Sequence, residues 1–84
     1  MTMTRIKKAD YYKVRAYMEL TGASVTVDGG AWIIDAPEGR GMFSTTAELL
    51  EYIGHELAEI RSAHIMEGSF AEYRAACKAA GLEV

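Results

Sequence analysis

The sequence predicts an α+β domain with the element order α-β-β-β-α-α, in which helices cover one face of a three-stranded antiparallel meander. Three observations predict this fold: an amphipathic pattern from residue 45 onward, a hairpin signal in the segment SVTVDGGAWIID, and shorter helical patterns near both ends of the chain. The chain has 84 residues and contains neither a repeat nor a linker-like tract. One domain over residues 1–84 is therefore expected.

The first helix is predicted over residues 9–21. Asp10 is the expected N-cap, and Gly22 is the residue type that commonly follows the last turn of a helix. One side of this helix is apolar and is expected to face the core; it carries Tyr11, Val14, Tyr17 and Met18.

The hairpin is predicted to turn at Gly29-Gly30, a dipeptide that accepts the positive φ angles of a tight two-residue turn. That register places Val27 opposite Trp32 and Val25 opposite Ile34, which gives one apolar sheet face. A turn at Asp28-Gly29 shifts the pairing by two residues and leaves the same face inward. Residues 36–41 are predicted to form a loop around the only proline, followed by a short third strand at Met42-Phe43.

The second helix is predicted from Thr46 to Met66, with a capping box formed by Thr45 and Glu48. At 100° per residue its core-facing sector contains Leu49, Leu50, Ile53, Leu57 and Ile60. A neighbouring sector is made of small residues and includes Gly54 and Ala58. Because a mid-helix glycine costs about 1 kcal/mol relative to alanine, another backbone is expected to pass closely over this sector. An element of the same chain is the favoured candidate, and a homodimer through Gly54 and Ala58 is the alternative.

The last helix is predicted over residues 70–80, after Gly68 and a second capping box formed by Ser69 and Glu72. Its apolar face carries Phe70, Tyr73, Cys77 and Ala80. His64, near the end of the second helix, is expected to be a structural histidine with one ring nitrogen bonded to backbone.

The composition is that of a globular domain: half of the residues are hydrophobic, and the formal net charge is −3. Five basic and two acidic residues lie in 1–22, against four basic and ten acidic residues in 23–84. A single cysteine excludes an internal disulfide and a thiolate metal cluster. No signal peptide or bilayer-spanning segment is visible, so a cytoplasmic location without membrane contact is predicted.

Catalysis is not predicted, and neither a cofactor nor a metal site is expected. A cysteine–histidine pair of Cys77 and His64 would require the two helices to cross at that point. Glu51, His55 and Glu59 line up on one side of the second helix, but they lack the His-Glu-x-x-His spacing of zinc proteases. The common alternative for such a row is a solvated helix face.

The predicted functional surface is the polar side of the second helix, where a tyrosine accompanies four carboxylates. Carboxylates fixed on a helix pair well with lysine and arginine of a protein partner, and tyrosine is a frequent hot-spot residue. The predicted partner-binding residues are Glu48, Glu51, Tyr52, Glu56 and Glu59. A plain solubility face is the alternative for this row.

The chain resembles small anti-CRISPR proteins of phages and mobile elements, including inhibitors of a CRISPR nuclease. The similarity lies in the first helix ending at Gly22, the hairpin at Gly29-Gly30, and the strand Met42-Phe43 that runs into a glutamate-rich helix. The resemblance implies a phage protein active in a host–virus interaction, an inhibitor that binds a nucleic-acid-handling protein complex.

A second resemblance, to HicB-type antitoxins, covers the stretch from Trp32 to Glu48 with its Pro-containing turn and threonine-led helix. The alternative function is therefore a small nucleic-acid-binding regulator or HicB-like antitoxin. It would use the basic residues of the N-terminal segment, namely Arg5, Lys7, Lys8, Lys13 and Arg15.

Overall fold

A computed structural model of the chain describes residues 6–82 and has the predicted α-β-β-β-α-α order. The fold class is confirmed: a three-stranded antiparallel sheet with strand order β1-β2-β3 follows the first helix and precedes the other two. The elements are α1 (Lys8–Thr21), β1 (Ser24–Asp28), β2 (Ala31–Ala36), β3 (Gly39–Phe43), α2 (Thr46–Glu67) and α3 (Phe70–Ala79). Within residues 6–82, no helix combines the length and the hydropathy that crossing a bilayer requires.

The β1–β2 hairpin has the predicted register. Gly29 and Gly30 form the turn with φ angles of 60° and 83°, and Val27 pairs with Trp32. Trp32 and Ile34 are buried under the helices, as predicted. Val27 pairs with Trp32 and so shares its sheet face as predicted, but Val27 is 49% exposed. It lies on the edge strand β1, one residue before Asp28 and the turn.

Strand β3 is longer than predicted. The expected loop over residues 36–41 shrinks to the two residues Pro37 and Glu38, because Ala36 pairs with Gly39 and the ladder continues to Trp32 opposite Phe43. The glycines that suggested a loop are thus strand residues. The extra pairing fixes Phe43 directly before α2.

Helix α1 begins at Lys8, and its N-cap, Lys7, makes no side-chain capping bond. The prediction that Asp10 is the N-cap is wrong, since Asp10 lies within the first turn and its carboxylate is 3.7 Å from the Lys13 amine. The helix ends at Gly22 as predicted, with φ 75° and its amide donating to the Met18 carbonyl.

The inward face of α1 is formed by Val14, Ala16 and Tyr17. Tyr11 was predicted to lie inward but is 45% exposed, because it lies in the first turn, at the edge of the helix layer. Met18 is half-buried. The core below contains residues from every helix and from β2; those from α2 and α3 are Leu49, Ile53, Leu57, Tyr73 and Cys77.

Helix α2 is one continuous helix of 22 residues, about 33 Å long at 1.5 Å rise per residue. Thr45 caps it by accepting from the Glu48 amide at 3.2 Å, as predicted. The Glu48 carboxylate, however, accepts from the Thr45 hydroxyl at 3.0 Å rather than reaching the Thr45 amide. The indole N–H of Trp32 donates to the Thr46 hydroxyl at 3.0 Å, which fastens the first turn of α2 to the central strand.

The predicted capping box before α3 is wrong. Ser69 precedes the helix but makes no side-chain capping bond, and its hydroxyl instead forms a 2.7 Å hydrogen bond with His64 Nδ1. His64 is therefore held by a side chain and not by backbone as predicted. The apolar face of α3 is confirmed, with Tyr73, Cys77 and Ala80 buried and Phe70 half-buried, although the helix ends at Ala79.

Candidate protein-binding surface

The five predicted partner-binding residues lie together on the outward side of α2, and we call them the acidic face. Glu48, Glu51 and Glu59 are exposed, whereas Tyr52 and Glu56 are half-buried at the border with the core. Their spacing along one continuous helix fixes the distances between their Cα atoms. The acidic face is thus an array on a helix rather than a set of loop residues.

None of these carboxylates is paired with a lysine or arginine of residues 6–82. The ion pairs in this part of the chain are Asp10–Lys13 and the contact of His55 with Glu59 at 3.4 Å. Both side chains of the latter pair are largely exposed, so its contribution is small. The acidic face therefore presents its negative charge to solvent with little internal compensation.

Tyr52 is held between two other aromatic rings. Its ring centroid lies 6.2 Å from that of Tyr17 in an edge-on arrangement and 5.1 Å from that of Phe43 in a tilted one. Tyr17 is fully buried, and Phe43 is fixed by its pairing with Trp32. Tyr52 is thus pre-organised, which lowers the entropy lost when a partner contacts it.

An open groove runs beside Tyr52, with a volume of about 440 Å³. It is lined by Phe43, Glu48, Glu51, Tyr52 and His55. Two aromatic rings form its apolar part and two carboxylates lie at its border. This arrangement suits a side chain that has an apolar stem and a cationic head, as arginine and lysine have.

Phe43 and His55 belong to this groove but were not among the predicted site residues. Phe43 was assigned only a packing role under the helix, and His55 was considered only as a metal ligand. The signal for Phe43 is its position at the end of a strand, five residues before Glu48. Its contact with Tyr52 depends on the angle between strand and helix, which the sequence does not encode locally.

Tyr17, below Tyr52, is the one buried polar side chain of residues 6–82 whose oxygen has no hydrogen-bond partner. Burial raises the pKa of Tyr17 well above its usual value, and the neighbouring Tyr52 and Glu56 add to the shift. The hydroxyl therefore stays neutral beneath the acidic face.

The structure groups other possible metal ligands than the predicted row of Glu51, His55 and Glu59. Ligand atoms of His55, Glu56 and Glu59 all lie within 4.8 Å of one another, whereas Glu51 is outside this group. His55 and Glu59 are exposed and all three residues come from a single helix. These three side chains therefore do not surround an ion, as the ligands of a high-affinity metal site do.

The favoured interpretation of Gly54, close packing inside the chain, is wrong. Gly54 and Ala58 are both exposed, and within residues 6–82 nothing lies within 4 Å of where a Cβ atom on Gly54 would be. Helices α1 and α3 pack on the opposite side of α2. The alternative, contact with a second molecule, stays a prediction.

The basic residues Lys8, Lys13 and Arg15 do not all lie on one side of α1. Arg5 lies outside the described residues; Lys7, Lys8, Lys13 and Arg15 are exposed. Lys8 and Arg15 are seven residues apart and share one side of α1, whereas Lys13 points to another side and pairs with Asp10. Lys8 lies 5.9 Å from the Tyr12 ring centroid.

Cys77 is completely buried on α3, where it lies against Tyr73. Burial raises the pKa of Tyr73, and the neighbouring Cys77 adds to this shift. A substrate in solvent therefore cannot reach the Cys77 thiol. His64 Nδ1 is hydrogen-bonded to the Ser69 hydroxyl. These positions give the residues structural roles.

Comparison of the chain with protein-family models, curated proteins and solved structures finds no match.

Proposed function

We propose that this protein is an interaction module that binds a cationic surface of a nucleic-acid-handling protein through the acidic face of α2, and thereby inhibits or modulates that partner. The partner's lysine and arginine residues would pair with Glu48, Glu51 and Glu59, while one apolar stem enters the groove beside Tyr52. Such a partner is found in the cytoplasm of a cell that carries a phage or mobile element, as the anti-CRISPR resemblance implies.

One observation supports this proposal above all others: no lysine or arginine of residues 6–82 pairs with the carboxylates of the acidic face, which lie on one helix beside an aromatic ring that is already fixed in place. Surface carboxylates alone are common, and they favour solubility. A fixed aromatic ring within the charged array adds the apolar contact that protein interfaces need at their centre.

Nucleic-acid-handling proteins are the favoured partner class because their binding grooves concentrate lysine and arginine for phosphate contacts. A helix with carboxylates at successive turns offers such a groove negative charges at regular spacing. The complex would form quickly and would weaken as salt screens its charges.

The first test uses guide-RNA-loaded CRISPR nucleases and a nuclease-treated host lysate as sources of partners. The immobilised protein is compared with the variant E48Q/E59K, in which glutamine preserves the capping interaction of residue 48. Retention should fall by about tenfold or more in the variant and should decrease with salt for the wild type.

The matched control is E19Q/E72K, which changes the charge by the same amount at exposed residues of α1 and α3. It should retain the partner as the wild type does. Equal retention by both variants would reject the acidic face as the contact. Gel shifts of random duplex by the protein alone, abolished by replacing Lys7 and Lys8, would favour the nucleic-acid-binding alternative instead.

A further inference from the structure

A second surface of α2 carries a heptad-type repeat that faces solvent. Its residues alternate at spacings of four and three, and we call them the α2 seam: Ala47, Glu51, Gly54, Ala58, Arg61 and Ile65. All six are exposed, and Ile65 is 51% exposed despite its aliphatic side chain. Spacing of this kind keeps one stripe of a helix against a second helix along its whole length.

The centre of the α2 seam is small. Gly54 and Ala58 let a second backbone approach closely, and the space above Gly54 is open. Gly54 has a helical conformation that alanine adopts more readily, and no positive φ angle requires glycine there. Nothing within residues 6–82 accounts for this glycine, whereas a helix packed from outside would.

The α2 seam is complementary to itself when a second copy runs antiparallel. With the two-fold axis at residue 56, Gly54 of one chain faces Ala58 of the other, and Glu51 faces Arg61. The outermost layer pairs Ala47 with Ile65, so a small residue meets a large apolar one. In this register every layer is complementary in size or charge, and each occurs twice by symmetry.

Arg61 is placed to make the charged contact. Its guanidinium lies 5.5 Å from the centroid of the Phe70 ring, and it is in no ion pair within residues 6–82. A guanidinium binds a carboxylate through two parallel N–H donors. Glu51 has no lysine or arginine partner in residues 6–82. The two complementary charges therefore sit at equal distances on either side of the small centre.

We infer that the protein forms an antiparallel homodimer through the α2 seam, with Glu51 of each copy paired to Arg61 of the other. Glu51 belongs to both surfaces, and in the dimer it pairs with Arg61. The other residues of the acidic face, Glu48, Tyr52, Glu56 and Glu59, lie outside the α2 seam and stay available to a partner. The inference does not rest on the proposed function.

The test is a charge exchange followed by sedimentation equilibrium over a wide range of protein concentration. The wild type should approach twice the 9.2 kDa mass of the chain. E51R and R61E each replace two attractive pairs with two repulsive ones, and each should raise the dimer dissociation constant by about tenfold or more. The double variant E51R/R61E restores two attractive pairs and should return the dissociation constant to near the wild-type value.

A second pair of variants tests the small centre. A58R should abolish the dimer, whereas A71R, at an exposed alanine of α3, should leave it intact. Circular dichroism of each variant checks that the fold is retained. The inference is overturned if the wild type stays monomeric at the highest concentration, if the single charge variants or A58R dimerise as the wild type does, or if the double variant is no better than the single ones.

Discussion

Ile53 and Gly54 are neighbours in the chain, yet the rotation of about 100° per residue places them on different sides of α2 with opposite surroundings. Ile53 is completely buried in the core, whereas a Cβ atom on Gly54 would meet nothing within 4 Å in residues 6–82. The comparison extends along the helix, because the inner side supplies buried core residues, whereas the outer side adds the half-buried Tyr52 to the packing around the core. Apart from Tyr52, the composition of the outer side must therefore be explained by solubility or by binding, since the core makes no demand on it.

The largest expected effect is on the inner side. Ile53→Ala should lower the free energy of unfolding by about 2–5 kcal/mol, because it removes buried methyl groups and leaves a cavity. Urea unfolding followed by circular dichroism measures this change. Glu51→Ala, two residues earlier on the outer side, should shift the free energy by no more than about 0.5 kcal/mol. Similar losses in both variants would contradict the division of the helix into two sides.

The core beneath α2 contains the hydroxyl of Tyr17, a residue of α1, and this oxygen has no hydrogen-bond partner within residues 6–82. Tyr17→Phe removes a desolvated oxygen and should raise the free energy of unfolding by about 1 kcal/mol at neutral pH. Because burial raises the pKa of Tyr17, the unfolded chain releases this proton at a lower pH than the folded protein does. The contribution of the Tyr17 hydroxyl to the free energy of unfolding is therefore fully present below the usual tyrosine pKa of about 10. It decreases as the pH rises above that value.

Unfolding at a series of alkaline pH values checks this prediction. Tyr17→Phe should lose less stability above pH of about 10 than the wild type, although Tyr73, whose pKa burial also raises, keeps part of the slope. Identical alkaline slopes would show that the Tyr17 hydroxyl is solvated in the folded protein.

On the outer side, Gly54→Ala should raise the free energy of unfolding of the monomer by about 1 kcal/mol, since alanine is the better helix former and meets no atom there. Thermal unfolding at low protein concentration, where any dimer dissociates, measures this gain. A loss would reveal a close contact over Gly54 inside the chain.

The smallest expected effect comes from the charges. E48Q/E59K should change the free energy of unfolding by less than about 0.5 kcal/mol, because both side chains are exposed. Urea unfolding followed by circular dichroism measures this change in the free energy of unfolding. A large loss would mean that the acidic face stabilises the fold and that reduced partner retention in this variant reflects unfolding.

Local patterns in the sequence predicted much of the fold. The Thr45–Glu48 cap, the Gly29-Gly30 turn and the helix ends at Gly22 and Gly68 all depend on residues close together in the chain. Ser69 and Glu72 have the same pattern as Thr45 and Glu48 but no capping bond, because His64 takes the Ser69 hydroxyl. A four-residue motif does not show that a side chain on another helix competes for the serine hydroxyl.

The candidate site was predictable to a similar extent. Helical periodicity placed the carboxylates on one side, and the structure keeps them there. The groove with Phe43 and the aromatic support of Tyr52 depend on how β3 and α1 meet α2, which involves distant contacts. Gly54 shows most clearly what the sequence does not predict. A glycine within a helix indicates that another backbone approaches closely, but it does not indicate whether that backbone belongs to the same chain or to a second molecule.

The most direct measurement of the functional account is amide chemical-shift mapping of the isotope-labelled protein on addition of a partner retained by the wild type. The account predicts shifts concentrated at Glu48, Tyr52 and Glu59, with α1 unaffected and the shifts reduced at high salt. Shifts centred on Lys8 and Arg15 instead, with the acidic face unchanged, would contradict it.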